Sequence, residues 1–181
     1  MSLFGNKESY KDKKSLVIYF SRADENYSVG YIKKGNTEVI AEYIEEIIGA
    51  DLFKVEGVKG YAADYNTCIE EAKQRQQKDE RPELKEYLDD ISEYEVIYIG
   101  APVYWGILPQ EMVTELERLD FTGKTVRVFT THEGSGLGSI PSQVKRLCKG
   151  AIVLDDGLAI RGGSVNSSKG KVESWLKGLG L

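Results

Sequence analysis

The sequence predicts an α/β fold in which a five-stranded, doubly wound parallel sheet carries helices on both faces. Two observations lead to this prediction. Short apolar runs of strand length alternate along the chain with amphipathic stretches of helical spacing. The first run is apolar without interruption, as is typical of a strand buried on both faces of a parallel sheet. Ligands of such sheets bind beyond the carboxyl ends of the strands, where the strand order reverses.

Five strands are predicted. The first lies between Lys14 and Ser21, and a helix and a second, shorter strand follow it, which completes a βαβ unit with a right-handed crossover. The third and fourth strands are followed by loops rich in glycine or proline. The predicted strands cover residues 16–20, 52–55, 96–99, 125–129 and 151–154.

Helices are predicted in the connections between the strands. The first helix has Asn36 or Thr37 as its N-cap and ends at Gly49. Residues 63–90 are charged and only weakly periodic, so the sequence leaves a helix there open. Further helices begin at Pro109, at Ser139 and near Val165.

Length, charge and cysteine content limit the classes of function. A chain of 181 residues that is 41% hydrophobic suits one domain, predicted over residues 14–181 after a flexible lead-in of residues 1–13. The net charge of -5 argues against nucleic-acid and membrane-surface partners, because both are bound through clustered Lys and Arg. Cys68 and Cys148 form neither a CxxC pair nor a metal-ligand set, so we expect a cytoplasmic protein with reduced thiols and no metal.

The loop after the first strand is a candidate phosphate site. Ser21 and Arg22 follow the strand, and Gly35, Asn36 and Thr37 open the first helix. Hydroxyl groups and free backbone N–H groups at a helix N-terminus favour an anion. The same residues would also suit a simple glycine turn with a helix cap, and the pattern lacks the lysine of a nucleotide-triphosphate P-loop.

The loop after the third strand carries two adjacent aromatic residues. It contains Pro102, Val103, Tyr104, Trp105 and Gly106. Two aromatic side chains at the mouth of a parallel sheet predict stacking on a flat ring system. The alternative is that Trp105 plugs the edge of the sheet, since aromatic side chains pack wherever they can bury area.

The loop after the fourth strand is rich in glycine. It contains Thr131, His132 and Glu133, followed by residues 134–136 with the sequence Gly-Ser-Gly. Its backbone donors can reach polar atoms of the same ligand. His132 is the one histidine of the chain, and a single histidine is more often structural or solvated than catalytic.

In this order, the three loops resemble the flavodoxin family, in the branch with a Pro-x-Tyr-Trp or Pro-x-Trp-Trp loop. The resemblance covers nearly the whole chain from Lys14. It implies FMN as the cofactor and a flavodoxin-like sheet with the strand order 2-1-3-4-5. It also implies that the first loop holds the FMN phosphate and that the other two flank the isoalloxazine ring. The cofactor-binding residues so implied are Ser21, Arg22, Gly35, Asn36, Thr37, Pro102, Val103, Tyr104, Trp105, Gly106, Thr131, His132, Glu133, Gly134, Ser135 and Gly136.

The chain departs from the family pattern in two places. Residues 22–34 form a long insertion in the phosphate loop, and this insertion either covers the phosphate or binds something else. The loop after the fourth strand lacks the tyrosine that many flavodoxins stack on the outer face of the flavin. That face is therefore expected to be more open to a substrate or to a second aromatic partner.

The resemblance implies electron transfer, in which FMN does the chemistry and no side chain is assigned a catalytic role. The leading hypothesis is a monomeric shuttle that passes single electrons between redox protein partners, a reductase as donor and a further protein as acceptor. The alternative is an FMN-dependent NAD(P)H:quinone-type oxidoreductase. A phosphoacceptor receiver is disfavoured, because the third strand leads into Gly100, Ala101 and Pro102 rather than ending in Asp.

The peptide between Trp105 and Gly106 is predicted to respond to the redox state of the flavin. Glycine tolerates the change in φ that a peptide flip requires, so this peptide is a candidate hydrogen-bond partner of the flavin N5. Replacement of Gly106 by a β-branched residue tests the hypothesis.

Overall fold

A parallel sheet runs through the centre of the computed structural model, which describes residues 9–179. The strands are β1 (Ser15–Tyr19), β2 (Asp24–Asn26), β3 (Gly30–Ile32), β4 (Asp51–Lys54), β5 (Val96–Pro102), β6 (Thr125–His132), β7 (Ile152–Val153) and β8 (Leu158–Arg161). The helices are α1 (Ser9–Asp12), α2 (Asn36–Ile48), α3 (Tyr65–Gln77), α4 (Gln110–Leu116), α5 (Ile140–Leu147) and α6 (Lys169–Lys177), and a 3-10 helix spans Gly162–Ser167.

The main sheet has the order β4-β1-β5-β6, and the last position is shared by β7 and β8. All its strand pairs are parallel. The predicted doubly wound α/β fold is confirmed, and β4, β1, β5 and β6 stand in the order predicted for the first four strands. The prediction and the structure differ at the edge of the sheet. In place of one fifth strand, two short strands, β7 and β8, pair with different parts of β6. The residues between them include Asp156, which leaves the sheet to pair with the buried Arg127 of β6.

Each face of the sheet is covered by its own hydrophobic cluster. Leu16 and Ile18 of β1 pack into the cluster that also contains residues of α4 and α5. Val17 and Tyr19 point the other way, into a cluster with residues of α1, α2 and α6. Every residue of β1 is buried, so the uninterrupted apolar run reflects a strand in the middle of the sheet.

The weakly periodic region contains a full helix, α3. Its N-cap is Asp64, whose side chain accepts a hydrogen bond from the Thr67 N–H at 2.8 Å. The helix buries Arg75, which forms an ion pair with Glu111 of α4. Because α3 is fixed partly through this charged contact, its sequence lacks the apolar stripe of an ordinary surface helix.

The predicted lead-in is described only in part. Residues 1–8 lie outside the described part of the chain. From Ser9 the chain forms α1, and Tyr10 is buried in the cluster on the α2 side of the sheet. The division into a lead-in and a domain stays a prediction.

The packing of Gly100 generates a first prediction. Gly100 lies beside Phe129 across the β5–β6 pair, and a Cβ at Gly100 would come 2.0 Å from the Phe129 ring. We expect Gly100→Ala to lower the free energy of unfolding by about 1–3 kcal/mol, because the fully buried ring has to move. Urea unfolding measures the change.

The matched control is Gly60→Ala, since a Cβ there meets nothing within 4 Å. It should be neutral or slightly stabilising. In addition, Gly100→Ala should cost less in a Phe129→Leu background than alone, because the two residues share the contact. Equal effects of the Gly100 and Gly60 substitutions would contradict this account.

Candidate functional site

A cavity of about 380 Å³ opens at the carboxyl ends of β1, β5 and β6, where the sequence predicts the ligand site. Three predicted loops supply most of its lining. The predicted residues that line it are Arg22, Asn36, Thr37, Pro102, Val103, Tyr104, Trp105, Gly106, Thr131, His132, Glu133 and Ser135. Ser21, Gly35, Gly134 and Gly136 do not line the cavity.

The N-terminus of α2 faces the cavity. The N-cap is Gly35 rather than Asn36 or Thr37, so the predicted cap is wrong by one or two residues. Ser21 takes over the capping, because its Oγ accepts a hydrogen bond from the Glu38 N–H at 3.0 Å. A Cβ at Gly35 would lie 2.1 Å from this Oγ, so only glycine allows the contact.

This arrangement suits an anion. The amides of Asn36 and Thr37 lie in the first turn of α2 and have no acceptor within the helix. Both residues line the cavity. The helix dipole adds a partial positive charge at the same place. A phosphate is therefore the group that this end of the cavity can hold.

Arg22 places a positive charge at the cavity, on the side of the segment that precedes α3. Its guanidinium donates hydrogen bonds to three backbone carbonyls, those of Glu25, Ala62 and Ala63. No carboxylate within residues 9–179 forms an ion pair with it, and its Nε is buried without a hydrogen-bond partner there. The charge is thus held in place and left free to compensate an anion in the cavity.

The aromatic loop after β5 is a tight turn. The Tyr104 N–H donates to the Ile107 carbonyl at 2.9 Å, and the Ile107 N–H donates back at 3.2 Å. Trp105 and Gly106 have φ values of 50° and 86°, the left-handed region that a type I′ turn requires. The Gly106 carbonyl accepts from the Ser139 N–H at 2.7 Å, which fastens the turn to the start of α5.

Trp105 stands at the mouth of the cavity. Its side chain is 49% exposed, so it does not plug the edge of the sheet. Its Nε1–H donates to the Ile69 carbonyl at 2.8 Å, and this bond ties the indole to α3. Lys73 lies over the ring, 5.2 Å from its centroid. The exposed ring is a fixed surface on which a flat ligand can stack.

Tyr104 supports the turn from behind. Its ring packs edge-on against Phe20 at 5.8 Å and against Tyr61 at 5.6 Å. Burial raises the pKa of its hydroxyl well above the ordinary value, so the phenol stays protonated. Burial also raises the pKa of Cys68, which lines the same wall, so its thiol is not a nucleophile at neutral pH.

The third predicted loop begins later than the sequence indicates. β6 continues through His132, because Thr131 and His132 pair with Ile160 and Arg161 of β8. Thr131 lies close to α2, with its Oγ1 2.8 Å from the Oγ1 of Thr37. The loop prediction is therefore wrong for these two residues, although both still line the cavity.

His132 has a defined tautomer. Its Nδ1 accepts a hydrogen bond from the Gly134 N–H at 2.9 Å, which leaves the ring proton on Nε2. Burial and then the charge of Arg161 lower the pKa of His132, whereas Glu133 opposes this shift. The imidazole is consequently a neutral hydrogen-bond donor at neutral pH.

Glu133 and Gly162 lie close together beside Asn36, at the N-terminus of α2. A Cβ at Gly162 would lie 2.2 Å from Glu133 Oε1 and 2.6 Å from Asn36 Nδ2. Glu133 Oε1 is buried and has no hydrogen-bond partner among the described residues. This oxygen is enclosed beside Asn36 at the start of α2 and is not accessible to a ligand.

Sequence reasoning missed part of the lining. Two residues come from the insertion, in which β2 and β3 form an antiparallel hairpin. The others lie on α3. The missed lining residues are Asn26, Tyr27, Tyr65, Cys68 and Ile69. Asp64 with Thr67 was the available signal for the start of α3, since Asp is a preferred N-cap.

Residues 9–179 contain neither a membrane-spanning helix nor a cluster of metal-binding side chains. No helix there is long and apolar enough to cross a membrane. No group of three or more His, Cys, Asp and Glu side chains in that range is placed to hold a metal ion.

Comparison with known proteins agrees with this geometry. A protein described as a candidate flavoprotein from Bacteroides uniformis is 25% identical with a TM-score of 0.71, over 91% of this chain and 98% of that chain. A Lactobacillus acidophilus flavoprotein in complex with FMN is 25% identical with a TM-score of 0.61, over 86% of this chain and 97% of its own. Fusobacterium nucleatum flavodoxin bound to flavin mononucleotide is 15% identical with a TM-score of 0.52, over 90% and 95% of the two chains, and shows the fold alone.

No curated protein matches the chain. A family model described as flavodoxin, however, matches residues 14–179. This match spans the main sheet, helices α2 to α6 and all three loops of the cavity. The chain therefore belongs to the flavodoxin family.

Proposed function

We propose that this protein binds FMN in the cavity and shuttles single electrons between redox protein partners. The observation that carries the proposal is the pairing of an anion site with an exposed aromatic ring in one cavity. The anion site is the first turn of α2 with the unpaired charge of Arg22. The aromatic ring is that of Trp105. A phosphorylated flavin is a ligand with a phosphate at one end and a flat ring at the other.

The residues present fit FMN. The amides of Asn36 and Thr37 would hold the phosphate, and the Arg22 guanidinium would add a compensating positive charge at the same cavity. Trp105 would stack on the ring. Supporting the proposal, the Lactobacillus acidophilus relative was solved with FMN.

The side chains of the cavity orient the ligand and exclude water, and they transfer no protons. FMN, when bound, supplies reversible electron transfer. Tyr104 and Cys68 both keep their protons at neutral pH and form a dry wall beside the ring. His132 holds its proton at Nε2 and offers a neutral donor to a polar edge of the ligand.

Two features favour a shuttle over a reductase. Trp105 is half-exposed at the cavity mouth, so a partner protein can approach the ring edge. No nicotinamide site is recognisable in the sequence. We take the shuttle to act as a monomer in the cytoplasm, and the two buried free cysteines suit that reducing compartment.

Reconstitution tests the proposal directly. We expect the protein to retain about one FMN per chain after excess cofactor is removed, and to be reduced anaerobically in two resolved one-electron steps. Absorbance spectra recorded during the titration measure both. Steady-state oxidation of NAD(P)H with a quinone would favour the reductase instead, and loss of all flavin on desalting would refute the cofactor assignment.

The state of His132 gives a second prediction. Its pKa should lie below 6.5, because burial and Arg161, with a smaller contribution from Lys171, disfavour its charged form. The unfolded chain then binds more protons than the folded one as the pH falls through about 6.5, so stability decreases there. NMR of this single histidine measures the pKa and the Nε2 tautomer.

His132→Gln is the control, because it removes the titrating group and should flatten the pH dependence of unfolding between about pH 7 and pH 5.5. A pKa at or above 6.5 would show that the ring is solvated and does not face the cavity wall.

A further inference from the structure

We propose that the inserted hairpin retains the cofactor: Tyr27 contacts the bound FMN and slows its release, with Tyr65 behind it and Glu25 as the positioning residue. The inference rests on the proposed function, since it takes FMN as the occupant of the cavity. It assigns a role to the insertion that the sequence leaves open.

The hairpin is attached to the body of the protein at its base. The Arg22 guanidinium donates to the carbonyls of Ala62 and Ala63 at 2.7 and 2.8 Å. The Glu25 N–H also donates to the Ala63 carbonyl, at 3.3 Å. These bonds join the insertion to the segment just before α3.

Glu25 adds a second attachment. Its Oε2 accepts a hydrogen bond from the Tyr65 N–H at 2.8 Å. Tyr65 is the first residue of α3, so its amide has no acceptor within the helix. The carboxylate therefore satisfies an amide that would otherwise be unpaired, and it fixes β2 against the start of α3.

Tyr27 projects from this anchored hairpin along the cavity. Its ring lies 5.6 Å from the ring of Tyr65 with an interplanar angle of 34°. Both rings line the cavity. Tyr27 is nevertheless 59% exposed, although its backbone is held in place. A large aromatic ring that is anchored, exposed and turned toward a ligand site is a contact surface for that ligand.

Trp105 is tied to the same helix that carries Tyr65. Trp105 donates to the carbonyl of Ile69, which lies one helical turn after Tyr65 on α3. Across the cavity, residues 132–136 contain no aromatic residue apart from the imidazole of His132. The hairpin and α3 thus provide the aromatic surface that this opposite loop lacks.

The hairpin contains its own control residue. Tyr31 lies on β3 and pairs with Glu25 in the hairpin register. It is 71% exposed and does not line the cavity. Tyr27 and Tyr31 therefore share side-chain type, exposure and hairpin, and differ in their position relative to the ligand.

The experiment compares FMN binding by wild type, Tyr27→Leu and Tyr31→Leu. We expect Tyr27→Leu to raise the FMN dissociation constant about 2- to 10-fold, as the loss of one aromatic contact does, chiefly through faster release. Tyr31→Leu should stay close to wild type. Quenching of flavin fluorescence gives the affinity, and stopped-flow measurement gives the release rate. Thermal unfolding of the apoprotein should be the same for both variants, because both rings are exposed.

Glu25 provides an independent test of positioning. Glu25→Ala removes the acceptor for the Tyr65 N–H and should speed FMN release, whereas Glu25→Gln keeps an acceptor oxygen and should restore the wild-type rate.

The outcomes separate this inference from the proposed function. Equal FMN release from the Tyr27 and Tyr31 variants, with a wild type that binds FMN, overturns the role of the hairpin alone. A fall in apoprotein stability confined to Tyr27→Leu would make the residue structural and would also overturn it. A wild type that binds no FMN overturns the proposed function and this inference with it.

Discussion

The close contact between the end of β1 and the first turn of α2 is the constraint on which the site depends. It exists because Gly35 has no Cβ, so that Ser21 can reach the Glu38 amide. The contact brings the first-turn amides of α2 to the carboxyl edge of the sheet. Thr37 then meets Thr131 at the end of β6, which joins the helix to a second strand. Anion site, cavity and sheet edge are therefore set by one steric condition.

Two ion pairs formed by buried arginines shape the parts of the fold that depart from a regular pattern. Arg75 and Glu111 join α3 to α4, and the Tyr61 hydroxyl donates to the same carboxylate at 3.0 Å. Arg127 pairs with Asp156 and stacks on Trp175, 4.1 Å from its ring centroid. Buried charges are costly to desolvate unless they are paired, so each pair strongly favours a single arrangement of the elements it joins.

Sequence patterns predicted those features that depend on local chemistry. The uninterrupted apolar run of β1 and the cavity residues of the predicted loops follow from burial, turn formation and helix ends, which nearby residues determine. Features set by distant partners were missed or misplaced. The charged side of α3 is stable only because Glu111 lies across from Arg75, and the break between β7 and β8 coincides with Asp156 turning toward Arg127.

The N-cap of α2 is also set by a residue distant in sequence, so local preference misplaces it. Asn36 is a better cap than Gly35 by intrinsic preference. The N-cap is Gly35 instead, because the Oγ of Ser21, which is distant in sequence, accepts the hydrogen bond that a cap side chain would accept. Likewise, the tautomer of His132 and the orientation of Trp105 are set by backbone partners that sequence spacing does not reveal.

The insertion between Ser21 and Gly35 begins and ends at nearly the same point in space. A Cβ at Gly35 would lie 2.8 Å from the backbone of Arg22, so the two ends of the segment already touch. The entropy of closing such a segment changes only slowly with its length, by about 0.6 kcal/mol for each doubling. Evolution can therefore lengthen, shorten or exchange this segment while the sheet and the anion site persist. Insertions of different sequence between Ser21 and Gly35 can therefore give the same fold different ligand-facing surfaces.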